Sequence, residues 1–346
     1  MHVIEARNVR DALPKAVKYI ITEGDPEDTR LGQALVAPGP VTIHYTHPEE
    51  RVLISRVRDA NPFFHLMEAM WMLAGRNDGA FLDHYITGFS EKYGVGGMIP
   101  DAYGYRWRHG LPFDQLEEIV RQLEQNQFTR QCVLQMWGAG LPDLISEFST
   151  KPCNIAVAFR INRLGQLDMT VFNRSNDLIW GACGANAVHF SILQEYIAGR
   201  VGLKIGGYWQ VTTNLHLYRS HMEMLTERCQ PMVIGDLDEY LIDTDAYEPI
   251  YPLYPDDNFD SNLHCAMQAV DDIHNDLSAR WAHVENPFLA GVVVPMAIAH
   301  QLYKKDNIKE AMQWAYSVIS MDWRRAACEW LERHDAARRS RRPGSL

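Results

Sequence analysis

Twelve consecutive residues, Phe63-Phe64-His65-Leu66-Met67-Glu68-Ala69-Met70-Trp71-Met72-Leu73-Ala74, read as a helix that is apolar on most of its sides. Asn61-Pro62 opens it and Gly75 stops it. A helix with so little polar face belongs in the interior. Glu68 is its anomaly, because an unpaired carboxylate there costs several kcal/mol. Two readings stand. Glu68 lies on the one polar side of the helix, or it is a buried general acid or base with a raised pKa.

At 346 residues the chain can bury one large core or two modest ones. It carries no apolar run long enough to span a bilayer, and its first residues lack the basic-then-apolar order of a signal peptide. The expectation is a soluble, cytoplasmic protein. A net charge of −11 disfavours broad nucleic-acid binding but leaves room for a small anion held by a few arginines. The basic tail, Arg338-Arg339-Ser340-Arg341-Arg342, reads as a solvated, mobile terminus. Six scattered cysteines without a C-x-x-C pair argue against a zinc ribbon or a disulfide scaffold, and no metal is expected. Each cysteine taken alone reads as a buried, inert thiol.

Further elements follow from periodicity. Residues 10–23 and Phe113 to Gln125 read as amphipathic helices. Val41 to Ile54 alternates as strands do, and Cys132 to Trp137 is a short apolar strand. Ile155 to Ile161 and Leu167 to Phe172 form a hairpin turning around Leu164-Gly165. Ala187 to Gly199 is a helix. After Pro231 the chain turns loop-like and acidic, then helical from about Cys265 to Ala336. The fold class is α+β (mixed α/β), with residues 1–230 as the main domain, which the resemblance described below implies is the catalytic one, and residues 231–346 a loop and helical C-terminal extension packed on it.

The chemistry concentrates in Lys151-Pro152-Cys153-Asn154 and, about twenty residues later, Asn173-Arg174-Ser175-Asn176-Asp177. A cation near a thiol lowers its pKa by about one to several units, which makes a nucleophile able to add to an electron-poor double bond. Arg30 and Arg130 can match phosphate oxygens bidentately, although an isolated arginine is more often a plain surface residue. His216 and Tyr218 share a face if their segment is extended. Tyr103 lies in an aromatic and arginine-rich stretch that alone could be a surface loop.

Taken in order, Thr29-Arg30-Leu31-Gly32, the Glu68 to Trp71 helix, Tyr103-Gly104 with Trp107-Arg108, Pro152-Cys153, Asn173 to Gly181, and His216 with Tyr218 resemble the folate-dependent thymidylate synthase superfamily. That superfamily includes the pyrimidine-nucleotide hydroxymethylases, and the likeness covers roughly residues 28 to 222. It implies a homodimer with a mixed sheet at the interface, acting on a pyrimidine nucleoside monophosphate with 5,10-methylenetetrahydrofolate. Cys153 would add to pyrimidine C6. Arg30, Arg174 and Ser175 would hold the 5′-phosphate, with Arg130 reaching across from the second subunit. His216 and Tyr218 would bind the ribose, Glu68 would relay protons, and Tyr103 would sit near the C5 proton. Asp177 would bind the folate pterin, with Trp71 and Phe89 also on the folate side.

The chain departs from the synthase pattern in places. Asn154 stands where synthases carry His, and Gln131 where a second arginine would follow Arg130. Ala185 falls at the position that reads the base, with Asn186 one residue beyond. Ala cannot read either pyrimidine edge. Such an alanine resembles the hydroxymethylases, so the expected product is a 5-hydroxymethylpyrimidine nucleotide, with cytidylate slightly favoured over uridylate. Methylation of the synthase type and an inactive nucleotide-binding protein are the alternatives.

Overall fold

The computed structural model describes residues 1–138, 143, 151–229, 242, 245–277 and 280–340. Expectations for residues 231–241, for Arg341 and Arg342, and for the side chain of Cys229 fall outside them.

Among the described residues, two sheets organise the fold. The larger has the order β1-β4-β9-β7-β6-β5, built from β1 (His2–Ala6), β4 (Val41–Tyr45), β9 (Lys204–Thr212), β7 (Gln166–Asn173), β6 (Asn154–Ile161) and β5 (Val133–Gln135). Its β1/β4 and β7/β9 pairs are parallel and the others antiparallel, so it is a mixed sheet. The smaller, β2-β3-β10-β8, joins β2 (Asp25–Thr29), β3 (Gly32–Val36), β10 (Leu215–Tyr218) and β8 (Asn176–Asp177). The expected hairpin is β6–β7, with Gly165 at φ +72° in its turn, a conformation that suits glycine. The strand-like run from Val41 stops at Tyr45, and the continuation through Ile54 is irregular and, beyond Thr46, mostly buried.

The apolar helix α2 (Pro62–Leu73) follows α1 (Val9–Glu23). Asn61 caps α2 by accepting from the Phe64 N–H at 3.1 Å, with Pro62 in its first turn. Three short helices come next, α3 (Gly79–Asp83), α4 (Phe89–Tyr93) and α5 (Tyr103–His109). Then come α6 (Gln115–Gln125), α7 (Asn186–Val201) and α8 (Arg219–Cys229). The helical C-terminal region is α9 (Phe259–His274), α10 (Val294–Lys304), α11 (Ile308–Ser317) and α12 (Met321–Ser340). Its first helix thus begins six residues earlier than the periodicity suggests.

The C-terminal helices and α7 cover α2. Phe63 meets Trp330 edge-on at 5.4 Å and His300 at 5.2 Å. Salt bridges from Arg76 to Asp271 (2.8 Å) and from Arg108 to Asp260 (3.0 Å) tie the same helices to the chain around α2. Gly104 is a packing requirement, because a Cβ there would fall 1.8 Å from the Met72 carbonyl oxygen. That close approach seats the start of α5 on the end of α2.

The tail differs from its reading as a loose terminus. Helix α12 runs through Ser340, Arg338 lies over the Tyr303 ring at 3.6 Å and donates to its carbonyl at 2.7 Å, and Arg339 pairs with Asp335. Among the described residues no helix is long and apolar enough to cross a membrane, and no group of three candidate metal ligands gathers.

A histidine cluster lies under α3. His84 stacks on His274 at 3.9 Å, and the Tyr85 hydroxyl lies 2.8 Å from His274 Nε2 and packs near His300. Burial lowers all three histidines, with His274 at about 2 and His300 at about 3. The unfolded chain, with histidines near 6.5, therefore binds more protons below that pH. The expected result is a melting temperature that holds above pH 6.5 and falls steadily toward acid, by up to roughly 1.4 kcal/mol per pH unit for each such histidine. His300→Phe should flatten that slope in melts followed by circular dichroism.

Candidate active site

The β6–β7 register explains why residues far apart in sequence meet. Asn154 pairs with Asn173, with a register shift between Asn154 and Ala156. One residue further out, the Arg174 N–H donates to the Cys153 carbonyl at 2.9 Å. The Arg174 guanidinium donates to the carbonyls of Pro152 and Lys151, both at 2.9 Å, and lies 3.9 Å from Cys153 Sγ. The loop thus holds one edge of the guanidinium while the side chain stays exposed, as an anion ligand requires. Ser175 follows it, partly exposed.

Tyr103 opens α5, and its hydroxyl oxygen accepts the Cys153 N–H at 3.3 Å. Burial, with Cys153 and Asp101 adding to it, holds this phenol well above its ordinary pKa, so it stays protonated. The thiol itself departs from the simple expectation that a neighbouring cation lowers its pKa. Burial pushes Cys153 above its ordinary value; Arg174 and Arg30 pull it back, and Asp101 and Asp177 oppose them. Desolvation of the thiolate outweighs the guanidinium. Asn154, at the position where the sequence departs from the synthase pattern, is fully buried and donates to Asn173 Oδ1 at 3.0 Å and to the Phe172 carbonyl.

The second sheet supplies a polar wall. Parallel pairing of β8 with β10 sets Asp177 beside His216. His216 and Tyr218 share one face of β10 with their rings 4.9 Å apart, and His216 Nδ1 lies 2.9 Å from Asn214 Oδ1. The Asp177 carboxylate caps the following turn by accepting from the N–H groups of Ile179 and Trp180, and lies 3.3 Å from His221 Nδ1. Burial raises Asp177, but His221 and the Trp180 N–H more than offset it, so the carboxyl titrates below its ordinary value. The Trp180 indole N–H donates to His221 Nε2 at 2.8 Å, and Arg58 lies over the Trp180 ring at 4.8 Å. Arg30, exposed at the β2–β3 turn, bears electrostatically on both Cys153 and Tyr218.

On α2, Glu68 keeps a side-chain exposure of 14% and lies 3.1 Å from His189 Nε2. It is therefore neither unpartnered nor on an open polar face. Of the remaining expected residues, Ala185 and Asn186 stand at the start of α7. Asn186 is buried, its amide N donating to Asn176 Oδ1 within a chain that continues to Gln210. Phe89 is half-buried against Phe64 and Tyr93.

Two expected residues stand apart. Trp71 is 2% exposed and its indole N–H is donated to Asp78, so its ring belongs to the core and not to a folate-facing wall. Helix α2 is enclosed on that side, which its apolar composition demands. Arg130 is exposed just before β5. The pairing of Gln135 with Ala156 and Val133 with Ala158 runs away from Cys153, so Arg130 reaches the opposite end of β6 within its own subunit. Trp180, Arg58 and His189 were not singled out by sequence. Trp180 lies inside the Asn173 to Gly181 motif, and that placement was the one signal available.

A family model described as thymidylate synthase matches residues 12–237. A deoxyuridylate hydroxymethyltransferase of Pseudomonas phage M6 is 38% identical over 364 aligned positions, spanning 100% of this chain and 98% of that relative. A protein of the same name from Bacillus phage SP01 is 34% identical over 209 positions, 58% of this chain and 54% of that relative.

Because burial and the two arginines oppose each other at Cys153, alkylation of this thiol by iodoacetamide should accelerate as pH rises above neutral. Removing a cation raises the thiol further. Arg174→Ala should therefore slow modification at pH 8 by about two- to tenfold, read by peptide mass spectrometry.

Proposed function

Since the chain belongs to the thymidylate synthase family, we propose that it converts deoxyuridylate to its 5-hydroxymethyl form with methylenetetrahydrofolate as co-substrate. The full-length match to a deoxyuridylate hydroxymethyltransferase carries this reading. The sequence alone favours cytidylate only slightly, since Ala185 reads neither base; the relatives' name moves the preference to uracil. Asn186 is compatible, because its amide oxygen can accept from a pyrimidine N–H.

Cys153 Sγ adds to C6 of the pyrimidine, which makes C5 electron-rich. Tyr103 steers the C5 proton as it leaves; its protonated hydroxyl and its contact with the Cys153 backbone support this role. The folate, when bound, supplies a methylene carbon at the formaldehyde level. An ionised Asp177 beside the Trp180 ring, itself 45% exposed, suits a flat heteroaromatic with ring N–H groups. Arg174, Ser175 and Arg30 bind the phosphate, and His216 and Tyr218 the sugar. Once an exocyclic methylene has formed at C5, water adds to it, and expulsion of the Cys153 thiolate restores the C5–C6 double bond. Tetrahydrofolate leaves without being oxidised. The phage origin of both relatives fits a reaction in the cytoplasm of an infected bacterium.

Incubation with methylenetetrahydrofolate and each of dUMP, UMP, dCMP and CMP should add one CH2O unit to dUMP, read by mass. Dihydrofolate formed in step with product would instead mean methylation. Cys153→Ser should lose at least about a thousandfold in turnover.

The working unit is a homodimer in which Arg130 enters the partner's phosphate site. The position of Arg130 at the far end of β6, and apolar side chains exposed on the large sheet (Val133, Ile155 and Phe172), support this reading. Mixing and re-annealing inactive Arg130→Ala and Cys153→Ser chains should restore about a quarter of wild-type activity, because half of the random dimers hold one intact site. No recovery would overturn the shared site.

A further inference from the structure

His189 has no role in the reaction as described so far. It is the fourth residue of α7, 4% exposed, and packs against α2. Its Nε2 lies 3.1 Å from Glu68 Oε2, yet the angle is poor and Nε2 has no aligned hydrogen-bond partner. A buried imidazole nitrogen that close to a carboxylate, with its hydrogen bond incomplete, is costly to retain. His65, three residues before Glu68 on α2, is held neutral by burial, with Arg58 and His189 adding to the effect. Phe190, the residue after His189, lies against Tyr103, whose hydroxyl meets the Cys153 backbone. The Glu68–His189 pair thus lies one residue along α7 from the ring that meets Tyr103, with Glu68 the more exposed member.

We propose that His189 is the positioning residue for water addition: it fixes the Glu68 carboxylate so that this group receives the proton of the water attacking the exocyclic methylene. The proposal rests on the hydroxymethyl reading above. The water oxygen bonds to the methylene carbon and one water proton passes to Glu68. The π electrons of the exocyclic double bond move onto C5 and the C4 carbonyl as an enolate. The enolate re-forms the C5–C6 double bond and expels Cys153 as thiolate. Glu68 then returns its proton to the thiolate or to solvent, so no oxidant or reductant is consumed. A methyl-forming enzyme needs no such base, because a hydride takes the place of water.

The test separates early steps from late ones. Tritium release from C5-tritiated dUMP reports every step through loss of the C5 proton. Hydroxymethyl product reports water addition. Added 2-mercaptoethanol, a soft nucleophile that needs no base at this site, captures a stalled methylene as a thioether. His189→Leu should release tritium in its first turnover at a rate within about threefold of wild type, form hydroxymethyl product at least tenfold more slowly, and yield the thioether. His189→Gln, which keeps an amide N–H at similar reach, should recover much of the product. His189→Asn replaces the leucine variant if that one melts below the assay temperature. Equal losses of tritium release and product, or no loss in either, would overturn the role assigned to His189. Methyl product with dihydrofolate from the wild type would instead overturn the hydroxymethyl reading, whatever the variants do.

Discussion

One backbone hydrogen bond, from the Arg174 N–H to the Cys153 carbonyl, fixes the geometry on which the site depends. It lies at the open end of the β6–β7 hairpin, just past the Asn154–Asn173 pair and its register shift. A shift of one residue in that pairing would turn Cys153 to the other face of the sheet. The buried side-chain bond from Asn154 to Asn173 reinforces the register at the same step. A histidine at position 154 could not form this amide-to-amide link in the same space. The departure from the synthase pattern is thus paired with a structural feature of its own.

The hairpin end also sets an electrostatic tension. Cys153 lies deep enough for desolvation to raise its pKa, while Arg174 is held at one edge and open at the other. A guanidinium that neutralised the sulfur fully would be less free to take a phosphate. Dividing Arg174 between loop carbonyls, sulfur and solvent leaves it able to serve both. Tyr103 completes the arrangement by receiving the Cys153 N–H, which ties Cys153 to α5 as well as to the sheet.

Much of the candidate site was legible because its residues fall in compact motifs with chemically unusual neighbours: Cys153 after Pro152, Arg174 before Asp177, His216 two residues from Tyr218. Less of the fold was. Strand β2 reads Asp-Pro-Glu-Asp-Thr, with no apolar alternation, and it exists because it is an exposed edge paired only with β3. In β9 a Gly206-Gly207 pair masks a central strand; the Trp209 ring lies over Gly207, and a Cβ there would fall 2.4 Å from it. Trp71 was misread because its spacing from Glu68 matches a motif whose aromatic turns inward. His189 was missed because an isolated histidine in an apolar helix gives no signal until α2 is laid against α7.

That last point bears on why the chain carries so much helix after residue 245. An apolar helix such as α2 needs cover on several sides, and α7 provides only one of them. Helices α9, α10 and α12 supply the rest through Phe63, Trp330, His300 and the aromatic-histidine cluster around Tyr85. Their cover excludes water from the outer side of α2, while Glu68 keeps its exposure on another side. Among the described residues its ion-pair neighbour is His189, at 3.1 Å. The C-terminal helices therefore bear on Glu68 indirectly: they bury the outer side of α2 and leave the helix that carries it packed against α7, where His189 lies.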